Sequence, residues 1–172
     1  MVLPLRLGID ALSLSEYGGF QHIIKILSYP EIIEKYGFKK VIIWGNENIC
    51  NEITPSSLFE VNKITNNDLI SRLYWQKFKL NNEAKNSCDI IFAPGGIYLS
   101  NHRPYVTMFQ NLLVFDKNQI KEEGLTFLRF KTWILKFFQS YSFKNSDGLI
   151  YISENAKDYL FDNYNNVVKN LN

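Results

Sequence analysis

Apolar residues fall in short continuous runs that alternate with segments of helical periodicity along the chain. The runs are rich in β-branched and aromatic residues, which favour strands, and several of them end at Gly, Pro or Asp. The Asn-rich segment 46–67 shows little periodicity of either kind. The runs predict strands at 5–9, 41–44, 89–93, 105–109 and 148–152, with a weaker one at 58–61.

Helical spacing is clearest from Phe20, where apolar residues recur at positions i, i+3, i+4 and i+7. Pro30 stops this helix and suits the start of a second short helix over 31–36, for which Gly37 can supply a left-handed C-terminal cap. Ser153 stands where it can N-cap a last helix. Further helices are predicted at 67–78, at about 125–142 and at 154–164, and residues 165–170 are predicted to begin an extended segment.

The predicted helix at 125–142 carries an aromatic-rich stripe on one face. A crossover helix needs an apolar face to pack on its own sheet, so we predict that this stripe is buried. Arg129, Lys131 and Lys136 lie beside it, and a basic amphipathic helix of this kind also suits peripheral contact with an anionic membrane, which is the alternative. The stripe consists of Phe127, Phe130, Ile134, Phe137, Phe138 and Tyr141.

Continuous apolar strands that alternate with helices predict a parallel sheet covered on both faces. The expected fold class is therefore α/β, with a doubly wound parallel sheet. A chain of 172 residues with 46% hydrophobic content has room for one domain of ordinary size, and we assign residues 1–172 to it.

Composition and charge exclude several classes of protein. Disorder and coiled coil do not fit the apolar content, and a formal charge of +2 is too small and dispersed for a nucleic-acid binder. Cys50 and Cys88 form no disulfide framework, and no apolar run approaches the roughly 18 residues of a membrane span. We expect a soluble cytoplasmic protein with no nucleic-acid partner.

Candidate binding residues lie in the loops that follow the strands, because ligands of an open parallel sheet bind beyond the carboxyl ends of its strands. Gly18 and Gly19 directly precede a helix, so their backbone can approach a phosphate closely. A tight turn without a ligand explains this pair equally well. Gly95 and Gly96 after Pro94 are better explained as a turn.

The sequence offers no motif for metal binding or nucleophilic catalysis. His22 and His102 have no partner at the spacing that zinc sites use, and no Ser stands in a G-x-S-x-G motif. Asp10, Asp116 and Glu154 lie at strand ends, but the sequence does not show whether any two converge. We therefore expect no metal and no cofactor, and identify no catalytic residue.

Three motifs, in chain order, resemble those of one enzyme family. The first is LGIDAL at 7–12, followed by Gly18-Gly19 and a helix over 20–27. The second is VTMFQNL at 106–112, and the third is SDGLIYISENAK at 146–157, which follows an aromatic-rich helix. Together they resemble the N-terminal domain of the retaining GT-B glycosyltransferases of family 4, also called group 1. That resemblance implies a Rossmann-like sheet that forms one half of a GT-B architecture.

The resemblance also implies positions for the substrate site. Gly18 and Gly19 would lie under the donor phosphate or sugar, and VTMFQNL stands where many members carry a strand ending in His-Asp-Leu. Gln110 and Asn111 replace that His-Asp pair, and an amide cannot do the proton or charge work of an imidazole. The substrate-binding residues implied in this way are Gly18, Gly19, Gln110, Asn111, Ser153 and Glu154.

The function implied is the acceptor-binding half of a nucleotide-sugar-dependent glycosyltransferase, in polysaccharide or glycolipid biosynthesis. Its partners would be a nucleotide-sugar donor and a sugar or glycolipid acceptor, with peripheral contact at the inner face of the membrane. The donor-binding C-terminal domain is not found within residues 1–172, so we expect the chain alone to be inactive without that domain or a separate subunit. The alternative is a non-enzymatic α/β binding or interaction domain.

Overall fold

A computed structural model describes residues 4–14, 19–65, 68–116 and 127–168. Six parallel strands form one sheet, in the order β3-β2-β1-β4-β5-β6. This confirms the α/β class and the doubly wound parallel sheet. The strands are β1 (Leu5–Asp10), β2 (Phe38–Gly45), β3 (Phe59–Lys63), β4 (Ile90–Ala93), β5 (Tyr105–Phe109) and β6 (Gly148–Tyr151).

Helices cover both faces of this sheet. They are α1 (Gly19–Leu27), α2 (Pro30–Lys35), α3 (Glu47–Glu52), α4 (Leu69–Phe78), α5 (Leu80–Lys85), α6 (Phe127–Asn145) and α7 (Glu154–Val168), with a single 3₁₀ turn at Leu112–Val114. Successive residues of a strand point to opposite faces. In β2, Val41 and Ile43 belong to one core cluster while Ile42 and Trp44 belong to another, so the continuous apolar run serves two buried faces.

The winding of the sheet reverses between β1 and β4. From β1 the chain moves outward through β2 to β3, and then crosses back to β4 on the other side of β1. Ile9 accordingly pairs with Ile43 on one side and with Phe92 on the other. The helices that follow β1 and β4 leave in opposite directions at such a point, which opens a crevice at the carboxyl ends of these strands.

Local signals in the sequence account for several element ends. Gly37 has a positive φ of +89° after α2, and Pro30 occupies the first turn of that helix, both as predicted. The Ser153 hydroxyl accepts a hydrogen bond from the Ala156 amide at 3.2 Å, which confirms the N-cap of α7. Residues 165–168 are helical within α7, so the prediction of an extended segment there is wrong.

Helix α3 lies in the Asn-rich segment and was not predicted. Its N-cap is Asn46, whose side chain accepts a hydrogen bond from the Ile49 amide at 3.1 Å. Ile49 is fully buried, while the rest of the helix has few apolar residues. One anchoring residue and one cap give too little periodicity to be read from the sequence.

The predicted burial of the aromatic stripe on α6 is wrong for three of its residues, while Ile134 and Phe138 are partly buried. Phe130, Phe137 and Tyr141 are 57%, 58% and 51% exposed, whereas Phe143 is fully buried. The side of α6 that faces the fold includes Ser142, whose hydroxyl accepts a hydrogen bond from the Tyr98 amide at 2.8 Å. Polar residues find partners on that side of the helix, so the aromatic side faces outward. The Phe127 side chain lies outside the described part of the chain.

Candidate functional site

A cavity of about 630 Å³ lies at the carboxyl ends of the central strands, where the winding reverses. Residues 12–14 after β1, Gly95 and Ile97 after β4, and Gln110 and Asn111 after β5 form one side of it. Residues of α4 and α6 form the other. Loops after three strands thus meet at this cavity, as expected for an open parallel sheet.

Two close approaches of the backbone shape the cavity. A β-carbon at Gly19 would lie 2.7 Å from the side-chain amide of Gln110, and one at Gly95 would collide with the Ser13 hydroxyl. Gly96 has a φ of +80°, which agrees with the predicted turn after Pro94. Any side chain at 19 would therefore displace the Gln110 amide, and any side chain at 95 would displace the Ser13 hydroxyl.

Three of the predicted site residues line this cavity: Gly19, Gln110 and Asn111. The Gln110 side-chain amide donates a hydrogen bond to the Pro94 carbonyl at 2.9 Å, and the Asn111 side chain accepts one from the Leu113 amide at 3.1 Å. Both side chains are thereby held in fixed orientations at the wall. Gly18 lies outside the described residues.

Ser153 and Glu154 do not line the cavity. Ser153 caps α7, and the Glu154 side chain is 81% exposed and paired with Lys157 at 3.3 Å. Both residues follow β6, which lies at the edge of the sheet, two strands away from β4. Helix capping therefore accounts for this motif without a ligand.

Two buried glutamines from the covering helices face the cavity and were not predicted. Gln76 on α4 and Gln139 on α6 are only 3% and 8% exposed. The Gln76 amide nitrogen donates to the carboxylate of Asp10 and to the Ile97 carbonyl, but its Oε1 has no hydrogen-bond partner. Gln139 Oε1 has none either. Both oxygens are themselves enclosed by protein atoms, so a ligand in the cavity would reach them only after the glutamine side chains turn toward it.

The charged residues that line the cavity are both cations, Arg72 on α4 and Lys131 on α6. Arg72 Nε is buried without a hydrogen-bond partner. Burial lowers the pKa of Arg72, but an arginine keeps its charge at neutral pH. No Asp or Glu is found among the described lining residues, so the cavity favours a ligand that carries negative charge.

Asp10 lies behind this wall at the end of β1. It is 1% exposed, and its carboxylate accepts hydrogen bonds from Gln76 and from the Leu12 amide. Burial raises the pKa of Asp10 to about 6, although both hydrogen bonds oppose the shift. The hydrogen bond from Gln76 to Asp10 thus fixes the orientation of the Gln76 side chain, and Gln76 separates Asp10 from the cavity.

The side chains around this cavity are equipped to bind and orient a ligand. The described lining residues supply amides, a guanidinium, an ammonium and the Ser13 hydroxyl, and include no Cys, His, Asp, Glu or Tyr. Within the described ranges, no three His, Cys, Asp or Glu side chains come together as a metal site would require. No local signal in the sequence separates Gln76 and Gln139 from Gln21, a helical glutamine after β1 that is exposed.

Comparison of the chain with models of protein families, with curated proteins and with solved structures finds no match. The resemblance to family 4 glycosyltransferases therefore rests on the sequence motifs alone. Among the described helices, none is both long enough and apolar enough to span a membrane.

Proposed function

We propose that this chain is the acceptor-binding half of a nucleotide-sugar-dependent retaining glycosyltransferase that acts in polysaccharide or glycolipid assembly. The observation that carries the proposal is the cavity at the winding reversal, which is lined by two cations, Arg72 and Lys131, and by the side-chain amides of Gln76 and Gln139. Amide groups can hydrogen-bond to the hydroxyl groups of a sugar, and the two cations can bind a phosphate.

The composition of the cavity agrees with this division of labour. In a retaining transfer the donor diphosphate leaves while the acceptor hydroxyl attacks from the same face, so positioning and phosphate stabilisation matter more than a base in this half. Gln76 and Gln139 would orient the acceptor, and Arg72 and Lys131 would stabilise negative charge. Gln110 and Asn111 would form the wall, and Gly19 would leave room for close approach.

The remaining machinery would come from outside the described site. A second domain or a separate subunit would hold the nucleotide-sugar donor over the open side of the cavity. We place the complex in the cytoplasm, with the acceptor taken from solution or from the inner face of the membrane. Ser153 and Glu154, which lie away from the cavity, have no role in this proposal.

The test is titration of the purified chain with hexoses, hexose phosphates and nucleotide sugars, followed by calorimetry or by nuclear magnetic resonance. We expect a hexose phosphate to bind, and Gln139→Leu to weaken it about tenfold, which corresponds to the loss of one hydrogen bond. Gln21→Leu is the matched control, because it makes the same substitution at an exposed glutamine on α1 that does not line the cavity. Equal loss in both variants, or no saccharide binding by the wild type, would favour the non-enzymatic binding domain.

A further inference from the structure

Two neighbouring helices present an exposed apolar surface, here called the aromatic face. Each of its members is more than half exposed. On α6 the residues recur at positions i, i+3, i+7 and i+11, and on α4 at i, i+4 and i+8, so each set forms one stripe. The aromatic face consists of Phe130, Trp133, Phe137 and Tyr141 on α6 and of Ile70, Tyr74 and Phe78 on α4.

The two stripes form one continuous patch. A groove of about 520 Å³ runs between them, lined almost entirely by apolar side chains of α4 and α6. Within each stripe the rings pack on one another, with centroids 4.9 Å apart for Tyr74 and Phe78 and 6.2 Å apart for Trp133 and Phe137. Scattered exposed apolar residues need no explanation, but a contiguous patch of this kind marks an interaction surface.

The charged residues on the two helices of the aromatic face are all positive, although an exposed acid, Asp68, N-caps α4. Neither α4 nor α6 contains an Asp or a Glu, although the chain as a whole has 17 acidic residues against 19 Lys and Arg. Lys77 lines the groove, and Lys79, Lys131 and Lys144 are exposed on or beside the two helices. Because α4 and α6 carry positive charge and no acidic residues, they favour a negatively charged partner.

We infer that the aromatic face docks on an anionic lipid bilayer. Helices that lie in the membrane interface typically carry Trp and Tyr flanked by Lys on the side that faces the lipid. The aromatic face has this composition. A second copy of this chain is disfavoured, because a two-fold interface would place the cations of one face against those of the other. A protein partner is also disfavoured, since Lys is depleted from the centre of protein interfaces and here lines the groove.

Docking through this face has a consequence for the cavity. Leu73 on α4 lines both the groove and the cavity, and Lys131 on α6 lines the cavity close to the aromatic stripe. The bilayer surface would thus lie beside the cavity, where a lipid-linked headgroup could enter it. The docking itself does not depend on the proposed glycosyl transfer, because it rests on the outer side of the two helices.

Binding to vesicles tests the inference directly. We expect the purified chain to sediment with phosphatidylcholine vesicles that contain phosphatidylserine, and at least about tenfold less with phosphatidylcholine alone, since each basic residue near an anionic surface adds to binding. Lipids with brominated acyl chains should quench Trp133, and the quenching should disappear in Trp133→Phe. Trp44 is buried, and Trp75 on α4 packs against it with ring centroids 6.1 Å apart, so neither of these two should respond.

Two pairs of variants separate the aromatic face from the rest of the surface. The first double variant removes apolar surface, through Trp133→Ser and Phe137→Ser. The second reverses charge, through Lys77→Glu and Lys79→Glu. Each double variant should lower vesicle binding about tenfold or more without changing the unfolding temperature. The control for the first variant is Ile32→Ser with Tyr36→Ser, which replaces two exposed apolar residues on α2 and at its end. The control for the second is Lys25→Glu with Lys35→Glu, which replaces two exposed lysines on α1 and α2.

Several results would overturn the inference. These are equal binding to neutral and anionic vesicles, no binding to either, or aromatic variants that bind like the wild type. A dimer of the wild type that dissociates in the Trp133→Ser, Phe137→Ser variant would assign the face to a second copy instead. Because the vesicles contain no sugar, failure here leaves the saccharide titration as a separate test of the proposed function.

Discussion

At the scale of single residues, Asp10 shows how the end of a strand becomes part of a site. Its carboxylate is buried at the end of β1 and is held by the Leu12 amide and by Gln76. Gln76 is thereby fixed with its nitrogen inward and its oxygen without a partner. One carboxylate therefore determines how the neighbouring amide faces the cavity.

Asp10 should make the stability of the chain depend on pH. Burial raises its pKa from the ordinary 3.8 to about 6, so the folded chain holds the proton more tightly than the unfolded chain. The unfolding free energy should accordingly fall as the pH rises from about 4 to about 6, by about 3 kcal/mol for this group. Asp10→Asn has no such titration. Urea unfolding at about pH 4 and about pH 6 measures this effect. The unfolding free energy of the variant should increase relative to that of the wild type as the pH rises. An equal change in unfolding free energy for both proteins would contradict the assignment.

Gly19 should be needed for ligand binding rather than for folding. In Gly19→Val the new β-carbon would lie 2.7 Å from the Gln110 amide, which must then leave the Pro94 carbonyl and enter the cavity. We expect a small change in unfolding temperature and a clear loss of hexose phosphate binding. Adding Gln110→Ala should relieve the clash without restoring binding. A Gly19→Val chain that binds like the wild type would remove Gly19 from the site.

At the scale of elements, α6 carries apolar residues on more than one side. The aromatic residues of the outward side outnumber those of the inward side, yet Phe143, Ser142 and Gln139 are the ones that face the fold. Hydrophobic periodicity shows that a helix is amphipathic. When a helix has two apolar sides, the pattern selects the side with more apolar residues as the buried one. The observed orientation pairs the Ser142 hydroxyl with the Tyr98 amide and the Ser142 carbonyl with the Tyr105 hydroxyl, and it packs Phe143 and Leu135 into the core.

The orientation of α6 predicts opposite results for two phenylalanines. Phe143 is fully buried and stacks on Phe115 with ring centroids 5.9 Å apart, so Phe143→Ala should cost about 3–5 kcal/mol of unfolding free energy. Phe137 is 58% exposed, and Phe137→Ala should cost less than about 1 kcal/mol. Chemical denaturation of the two variants side by side measures both. Similar losses would mean that the stripe is buried after all.

At the scale of the whole molecule, the strand order assembles the candidate site. Gln76 and Gln139 are 63 positions apart in the sequence, on the neighbouring helices α4 and α6, and the fold brings them to one cavity where the winding reverses between β1 and β4. In a glycosyltransferase of the proposed kind, the donor would be held against this cavity.

The proposed division of the enzyme predicts that this chain alone transfers no sugar. The described cavity has two cations for a phosphate but no group that would recognise a nucleotide base and diphosphate together. Nucleotide release from a panel of nucleotide-sugar donors should therefore be absent with the isolated chain. It should appear once a matching donor-binding domain is joined after Asn170. Turnover by the isolated chain would show that a complete active site exists within these residues.

The sequence by itself determined the strands, the fold class and several helix ends. Apolar runs such as 41–44 and 89–93 predict buried parallel strands because a sheet covered on both faces requires apolar residues at every position. Ser153 and Gly37 act on their immediate neighbours, so their roles can be read locally. The position of the loops after the strands likewise predicts where residues converge, and Gly19, Gln110 and Asn111 do meet in one cavity.

Only the tertiary structure decided which side of α6 faces inward and which polar groups converge. The inward side depends on hydrogen-bond partners from other elements, and Arg72, Gln76 and Gln139 reach the cavity through the packing of α4 and α6 over the strand ends. These contacts join residues far apart in the chain, and no local pattern encodes them. A polar residue on a helix looks solvent-exposed in sequence until the fold buries it beside a cavity, and an aromatic residue looks buried until the fold leaves it outside.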